Sequence, residues 1–159
     1  MKITKELLKE KGACAGGYRD FLKEYPVDKY PDGVEYQELL DCCAEKNFSY
    51  GSWLLSVFGR TNDVRKIDGD LIVEKGIIFA GRLEVKGRIE AGCGIEAGLG
   101  IEAGWDINAG EGIKAGCEYG IYAGLRCKIT NKELRKIIAK ECPENIMCGE
   151  FEEKKDDTM

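Results

Sequence analysis

The pattern of apolar and polar positions divides the chain into two unlike parts. From Leu71 onward an aliphatic residue recurs every six positions, and the central units read Ile-x-Ala-Gly. Before residue 60 the apolar residues recur at the spacing of amphipathic helices instead. The chain therefore predicts an α+β fold, with a small helical domain over residues 1–59 and a β-solenoid over residues 60–129.

The first part is predicted to hold four short helices, at residues 4–12, 18–25, 35–46 and 50–58. Helices of this length are marginal alone and must pack together, so we expect Trp53 and Phe58 to anchor a common core. A partner-binding groove made by the same aromatic residues is the alternative. The core is favoured because an apolar stripe at helical spacing is usually buried.

The repeat predicts short strands joined by corners. The Ile and the Ala of each unit are two positions apart, so on a strand both side chains point to the same side. The glycines that follow suit a corner that needs positive φ and a close backbone approach. One unit cannot bury itself, so we expect a three-sided β-helix with about 18 residues per coil and three to four coils.

The residues after the repeat are predicted to close the solenoid. Thr130 and Glu133 are spaced as a capping box, and apolar residues follow at helical spacing, so a capping helix is expected over residues 130–142. Residues 143–159 are predicted to form an acidic, mobile tail. A covered end matters because the open strand edges of a solenoid invite edge-to-edge association.

Composition narrows the classes of function. The net charge is -5 with both signs mixed, which argues against a nucleic-acid-binding protein that relies on a basic surface. The chain has no histidine, which excludes Ser-His-Asp and Cys-His catalysis. It has no long apolar run, and its first residues lack the apolar core of a signal peptide, so we expect a soluble cytoplasmic protein.

The eight cysteines raise the question of a zinc site. No Cys-x-x-Cys occurs, and histidine, the commonest partner ligand, is absent. Reduced thiols that are buried as small apolar groups are therefore the favoured interpretation. We predict no cofactor, no metal ion and no catalytic residue.

The units Ile89-Glu-Ala-Gly-Cys-Gly and Ile95-Glu-Ala-Gly-Leu-Gly resemble the hexapeptide-repeat β-solenoids and the polymer-forming bactofilins. They are more similar still to Gly-Ala-Ile repeat segments in uncharacterised bacterial and phage proteins. The resemblance implies an architecture rather than an activity. Hexapeptide acyltransferases share the period, but their usual catalytic histidine has no counterpart in this chain, so acyl transfer is disfavoured.

Between Ile89 and Gly120 the chain has six acidic residues and a single lysine. One hypothesis is that these carboxylates imitate a nucleic-acid backbone and enter a basic cleft on a partner. The favoured alternative is a solvated face that keeps a β surface soluble. An 18-residue register places these pairs side by side: Glu84 and Glu102, Glu90 and Asn108, Glu96 and Lys114. The acids are then spread around the solenoid rather than aligned in one stripe.

Large apolar residues at the corners are the other candidate binding groups. Leu99 and Trp105 fall where a side chain is expected to project outward, and Tyr119 lies where the repeat slips by two residues. Packing under the helices is the alternative. The complete set of predicted partner-binding residues is Glu90, Glu96, Leu99, Glu102, Trp105, Asp106, Glu111, Tyr119 and Tyr122.

The favoured function is a non-enzymatic module that binds a protein with a basic or nucleic-acid-binding cleft. Its most specific form is a phage-encoded inhibitor of a bacterial defence complex (CRISPR-type) or of a nucleic-acid-processing complex. The alternatives are a self-assembling structural protein, as the bactofilin resemblance implies, and a hexapeptide-type acyltransferase. We expect no direct contact with nucleic acid or membrane, and a homodimer is compatible with the sequence.

Overall fold

The structure, a computed structural model, describes residues 1–116, 118–128 and 130–155. Its first part contains α1 (Lys5–Glu10), α2 (Ala15–Glu24), α3 (Tyr36–Glu45) and α4 (Gly51–Phe58), with β1 (Lys2–Ile3) antiparallel to β2 (Val34–Glu35). The four predicted helices are confirmed, although α2 begins at Ala15 rather than at residue 18. We call residues 1–58 the helical part. The division of the chain into separate domains stays a prediction.

The helical part packs around a small core of buried side chains. Leu40 is fully buried, and Leu8, Phe21 and Leu54 are buried beside it. The predicted anchor Trp53 is only partly buried, as is Phe58, and both contact the core from its margin. The sequence thus places both aromatics correctly on the core-facing side but overestimates their burial.

The second part is a β-solenoid of parallel strands stacked coil upon coil, as predicted. Sheet 1 contains, in stacking order, β3 (Val64–Ile67), β6 (Arg82–Val85), β9 (Gly100–Ala103), β12 (Gly120–Tyr122) and β14 (Ile146–Cys148). Sheet 2 contains β4 (Leu71–Val73), β7 (Ile89–Ala91), β10 (Ile107–Ala109), β13 (Lys136–Ala139) and β15 (Glu150–Glu153). Sheet 3 contains β5 (Ile77–Phe79), β8 (Ile95–Ala97) and β11 (Ile113–Ala115).

The register of the stack agrees with the sequence prediction. Ile89 pairs with Ile107 and Ile95 pairs with Ile113, so one coil contains 18 residues. The three pairs predicted from that period are confirmed: Glu84 and Glu102, Glu90 and Asn108, Glu96 and Lys114. Ile121 pairs with Ile101, which confirms the two-residue slip before β12.

The core of the solenoid is a column of aliphatic side chains. Ile89, Ile101 and Ile107 are fully buried, and Ala103 and Ala109 beside them are fully buried too. No charged residue is buried in the described part of the chain. Burial of the stacked Ile and Ala side chains therefore stabilises the contact between coils. The polar interactions inside the described solenoid are the backbone hydrogen bonds of its sheets.

The first glycine of each unit is required by the distance between coils. These glycines are Gly92, Gly98, Gly104, Gly110 and Gly116. A Cβ atom on any of them would collide with a carbonyl oxygen of the preceding coil. None of the five has positive φ, so the predicted close approach is confirmed and the predicted need for positive φ is wrong at these positions.

The predicted capping helix over residues 130–142 is wrong. Lys132–Arg135 forms a short 3₁₀ turn, and the following residues form β13, which pairs with β10. The predicted mobile tail is also wrong over the described residues 143–155, which contain β14 and β15. Its last part, residues 156–159, lies outside the described residues. The solenoid therefore has about five coils rather than three to four.

Burial explains why this segment is a strand. Ile137 and Ala139 are two positions apart, and both are fully buried in the core of the solenoid. A helix would satisfy its own backbone but would leave the edge of β10 unpaired and the top of the aliphatic column exposed. The long-range pairing therefore overrides the local capping signal.

The helical part lies against sheet 3 at its first strand. The Gln37 side chain of α3 donates from Nε2 to the carbonyl oxygen of Ile78 at 2.8 Å, and its Oε1 accepts from the backbone N–H of Ala80 at 3.0 Å. One side chain thus bonds to β5 as a neighbouring strand would. Helix α4 follows the outer face of the same sheet, where Gly51 contacts Ile78.

The first strand of sheet 1 carries a charge at an inward position. Arg65 of β3 is in register with Leu83, which is fully buried. The Arg65 guanidinium lies 4.6 Å from the centroid of the Phe79 ring and 3.2 Å from a carboxylate oxygen of Asp41. Inward charges of this kind discourage a second chain from pairing with an edge strand.

Candidate functional site

The nine predicted partner-binding residues are distributed around the solenoid rather than on one face. Glu90 lies on the outer face of sheet 2, Glu96 on that of sheet 3, and Glu102 and Tyr122 on that of sheet 1. The others lie at corners: Leu99 and Tyr119 between sheets 3 and 1, Trp105 and Asp106 between sheets 1 and 2, and Glu111 between sheets 2 and 3.

Several of the acids are bound by groups of the same chain. Ser52 donates its hydroxyl to Glu96 Oε2 at 2.6 Å, and Arg82 lies 3.4 Å from Glu102 Oε1. Glu118 forms an ion pair with Arg60. The two arginines lower the net negative charge that sheets 1 and 3 present to a partner, and the Ser52 hydroxyl occupies one carboxylate oxygen of Glu96.

The remaining predicted acids border sheet 2. Glu90 points outward from β7, Asp106 precedes β10 and Glu111 follows it. Their carboxylates make no ion pair and no hydrogen bond with the part of the chain that the structure describes. The acidic surface that could meet a basic partner is therefore narrower than the sequence predicts, and it lies on one side of the solenoid.

Leu99 is not an exposed corner residue. Only 4% of its surface is accessible, so it cannot reach a partner. The side chain of Arg60 approaches Gly98, and that of Tyr119 approaches Gly100, so both glycines that flank Leu99 are crowded from outside. The sequence could not indicate this, because Arg60 and Tyr119 are far from Leu99 along the chain.

Tyr119 belongs to a cluster on the outer face of sheet 1. Tyr119 is 42% exposed, and the Arg82 guanidinium lies 4.8 Å from the centroid of its ring. Arg82 also pairs with Glu84 and Glu102, and Tyr122 lies beside Glu102 on the next coil. The predicted residues Glu102, Tyr119 and Tyr122 are thus brought together, and Arg82 contacts the first two of them.

Trp105 is 41% exposed, as predicted, and the structure adds a second apolar residue beside it. Leu125, which is 50% exposed, lies on the next coil of the same corner. The loop that carries it is bound to the coil beneath: Gly124 N–H donates to Trp105 O at 2.8 Å, Leu125 N–H to Ala103 O at 3.2 Å, and Arg126 N–H to Gly104 O at 2.9 Å. We call Trp105 and Leu125 the Trp105 corner.

Charged groups surround the Trp105 corner. Lys86, one coil below, pairs with Asp68 at 2.5 Å, and this bond together with the charge of Lys86 lowers the pKa of the Asp68 carboxyl. Arg126 adds to the same effect from the coil above. An apolar centre with a charged margin is the usual anatomy of a protein-binding surface.

The sequence analysis missed a cavity in the helical part. It has a volume of about 370 Å³ and opens to solvent between α2, α3 and α4. Five aromatic residues line it: Phe21, Tyr25, Phe48, Tyr50 and Trp53. The helical spacing of the aromatic residues is the signal in the sequence that could have located this cavity. That spacing predicted a core, with a groove as the alternative.

The polar groups of this cavity are mainly acidic. The Tyr50 hydroxyl donates to Asp20 Oδ2 at 3.1 Å, and this bond raises the pKa of the Tyr50 phenol. Glu24 pairs with Lys46 at 3.1 Å. Burial raises the pKa of Tyr25 above its ordinary value, with a further contribution from its hydrogen bond with Cys42. The two tyrosines of the cavity are therefore neutral at physiological pH.

Comparison of the chain with models of protein families, with curated proteins and with solved structures finds no match. In the ranges that the structure describes, no helix is both long and apolar enough to cross a membrane. The same ranges contain no group of three or more histidine, cysteine or acidic side chains placed to hold a metal ion. Function therefore has to be argued from the surfaces described above.

Proposed function

We propose that this chain is a non-enzymatic protein-binding module that meets its partner at the Trp105 corner. The observation that carries the proposal is the exposure of two large apolar side chains, Trp105 and Leu125, on adjacent coils of a hydrogen-bonded scaffold. Tryptophan is prominent among the residues that dominate binding energy. A side chain held on a rigid element also loses little conformational entropy when a partner covers it.

The acids beside sheet 2 define the chemistry of the partner. The carboxylates of Glu90, Asp106 and Glu111 have no internal partner among the described residues, so they are available to basic groups. A positively charged cleft would gain complementarity and a faster encounter with this surface. The most specific form of the proposal is a phage-encoded inhibitor of a CRISPR-type defence complex or of a nucleic-acid-processing complex. It rests on this acidity and on the resemblance of the repeat to phage proteins.

The scaffold in this proposal is a three-sided, capped β-helix in the cytoplasm. The three parallel sheets and the 18-residue register support the three sides. The bonds from Gln37 to β5 support a capping role for α3 at one end. A rigid scaffold of this kind would hold the Trp105 corner and the acids of sheet 2 in a fixed arrangement.

The test is capture of binding proteins from bacterial lysate with four variants. Trp105→Ala and Leu125→Ala should each reduce recovery of a specific partner by about tenfold or more, since an exposed anchor typically contributes more than 1 kcal/mol. Glu90→Gln should weaken capture less and should make it less sensitive to salt. Tyr30→Ala, which removes an exposed aromatic of the helical part, is the matched control and should leave recovery unchanged.

Equal recovery by the wild-type chain and by both corner variants would contradict the proposal. The same result is expected if the partner binds elsewhere, so crosslinking mass spectrometry should then place the crosslinks away from sheets 1 and 2. Circular dichroism of each variant establishes that the loss is not caused by unfolding. Trp105 and Leu125 are both exposed, so their replacement should cost little stability.

Self-assembly is the second candidate, and the edge strands favour it. β3 and β4 end the sheets on one side, and β14 and β15 end them on the other. The inward charge of Arg65 opposes pairing at β3, and the acids of β15 oppose symmetric pairing there. We therefore expect light scattering to give a mass that does not grow with concentration. Steady growth toward filaments would support assembly instead.

A further inference from the structure

The cavity of the helical part has the size of a ligand site. Its volume of about 370 Å³ lies in the range of pockets that bind small molecules, roughly 300–1,000 Å³. Most of its surface is apolar, and it opens to solvent on one side. It is also remote in sequence from the Trp105 corner, so nothing in the proposed function accounts for it.

The walls of the cavity are suited to a positive charge. The faces of aromatic rings attract cations, and Tyr50, Trp53 and Phe48 supply three rings from one short segment. The other two rings, Phe21 and Tyr25, come from α2 and its end, and their centroids are 5.5 Å apart. A ring-lined pocket of this kind stabilises a cation without forming a hydrogen bond to it.

The charges that line the cavity have one sign. Its charged lining residues are Asp20 and Glu24, and none is basic. Glu24 is already paired with Lys46, but the contact of Asp20 is with a neutral hydroxyl, that of Tyr50. Asp20 therefore keeps a negative charge that no base of the described chain neutralises by direct contact.

We propose that this cavity binds a small organic cation, in which an ammonium group is attached to an apolar body. The apolar body fills the aromatic cavity, and the ammonium group lies near Asp20. The ligand binds without covalent chemistry. This site is independent of the Trp105 corner, so either proposal can fail without the other.

Fluorescence of Trp53 tests the proposal directly. The chain has two tryptophans, so in a Trp105→Phe variant Trp53 is the sole reporter, and it lines the cavity. The probe is 3-phenylpropylammonium chloride, and the neutral comparison is 3-phenylpropan-1-ol. We expect a saturable change in emission with both compounds and about tenfold tighter binding of the ammonium compound.

Two variants separate recognition of the charge from packing. Asp20→Asn keeps an acceptor for the Tyr50 hydroxyl and should remove most of the preference for the ammonium compound, leaving the part that the aromatic rings supply. Asp28→Asn removes an exposed carboxylate that does not line the cavity and should change neither affinity. Equal binding of the two compounds to the unaltered site, or an Asp20→Asn variant that keeps the full preference for the ammonium compound, would overturn the proposal. Absence of a saturable response would overturn it too.

Discussion

The helical part and the solenoid are stabilised in different ways. The solenoid stacks small aliphatic residues such as Ile107 and Ala109, with coils so close that a single Cβ atom does not fit at Gly110. The helical part packs large rings loosely enough to leave a cavity of about 370 Å³. It also buries the ionisable groups of Tyr36 and Cys43. The repeat therefore forms a tightly packed support, whereas the helices leave open space between their side chains.

The largest effect should come from adding one methyl group between two coils. We expect Gly110→Ala to lower the free energy of unfolding by about 4 kcal/mol, because the new Cβ collides with the backbone of Gly92 and the coils must separate. Urea denaturation followed by circular dichroism measures the change.

Gly112 is the matched control for that substitution. It lies two residues away in the same corner, has no positive φ, and has no atom within 4 Å of the position that an added methyl group would occupy. Gly112→Ala should leave stability unchanged or raise it by up to about 1 kcal/mol, since alanine restricts the unfolded chain. Equal losses of stability in the two variants would show that the close stacking of the coils is not the reason why the first position of the corner requires glycine.

A smaller effect should distinguish the two parts at alkaline pH. Burial raises the pKa of Cys43 from 9.0 to about 12 and that of Tyr36 from 10.0 to about 12. The unfolded chain loses these protons from about pH 9 upward while the folded chain retains them, so stability falls between pH 9 and 12. We expect the free energy of unfolding to fall by about 2 kcal/mol by pH 10, reported by Trp53 in a Trp105→Phe background.

Trp105 is the reporter of the solenoid in the same experiment. In a Trp53→Phe background its unfolding transition should depend less on pH, because both groups belong to the helical part. Cys43→Ala together with Tyr36→Phe should weaken the dependence seen by Trp53, and the raised pKa of Tyr25 should supply part of what remains above pH 10. A transition that shifts equally for both reporters would mean that the two parts unfold as one unit.

The smallest effect should arise where the two parts meet. Gln37→Ala removes the two hydrogen bonds between α3 and β5 and should cost about 1–2 kcal/mol. Amide exchange at Ala80, whose N–H donates to Gln37, should accelerate most. Glu38→Ala on the same helix is the control, because its side chain makes no bond to β5 and the residue contributes only its main-chain oxygen to Tyr25. Unchanged exchange at Ala80 would contradict a stabilising role for Gln37.

The sequence predicted the solenoid well wherever the repeat is regular. The six-residue repeat identifies the strands from β4 to β11, and the 18-residue period gives the pairing of Glu84 with Glu102. The prediction succeeded because each six-residue unit contains its own two inward-facing residues and its own corner, so its structure can be read from neighbouring residues. The prediction of helices in the first part succeeded for the same reason, as the Thr4 side chain accepts from Leu7 N–H at 3.2 Å.

The C-terminal coils show where local patterns fail. Leu134, Ile137 and Ile138 have the spacing of a helix, but Ile137 and Ala139 also repeat the Ile-x-Ala unit. The segment forms a strand rather than a helix because it pairs with the free edge of β10. That edge is distant along the chain, so the local sequence does not reveal it. The burial of Leu99 and the exposure of Leu125 were unpredictable for the same reason, because each depends on residues from another coil.

The 18-residue register has a consequence for how such a chain could change in length. An insertion or deletion of one whole coil would preserve every inward position and every corner, because residues 18 apart are already in contact. It would move the Trp105 corner relative to the helical part by about 4.8 Å, the spacing of adjacent strands. The number of coils therefore sets the separation between the cavity of the helical part and the Trp105 corner in uniform steps.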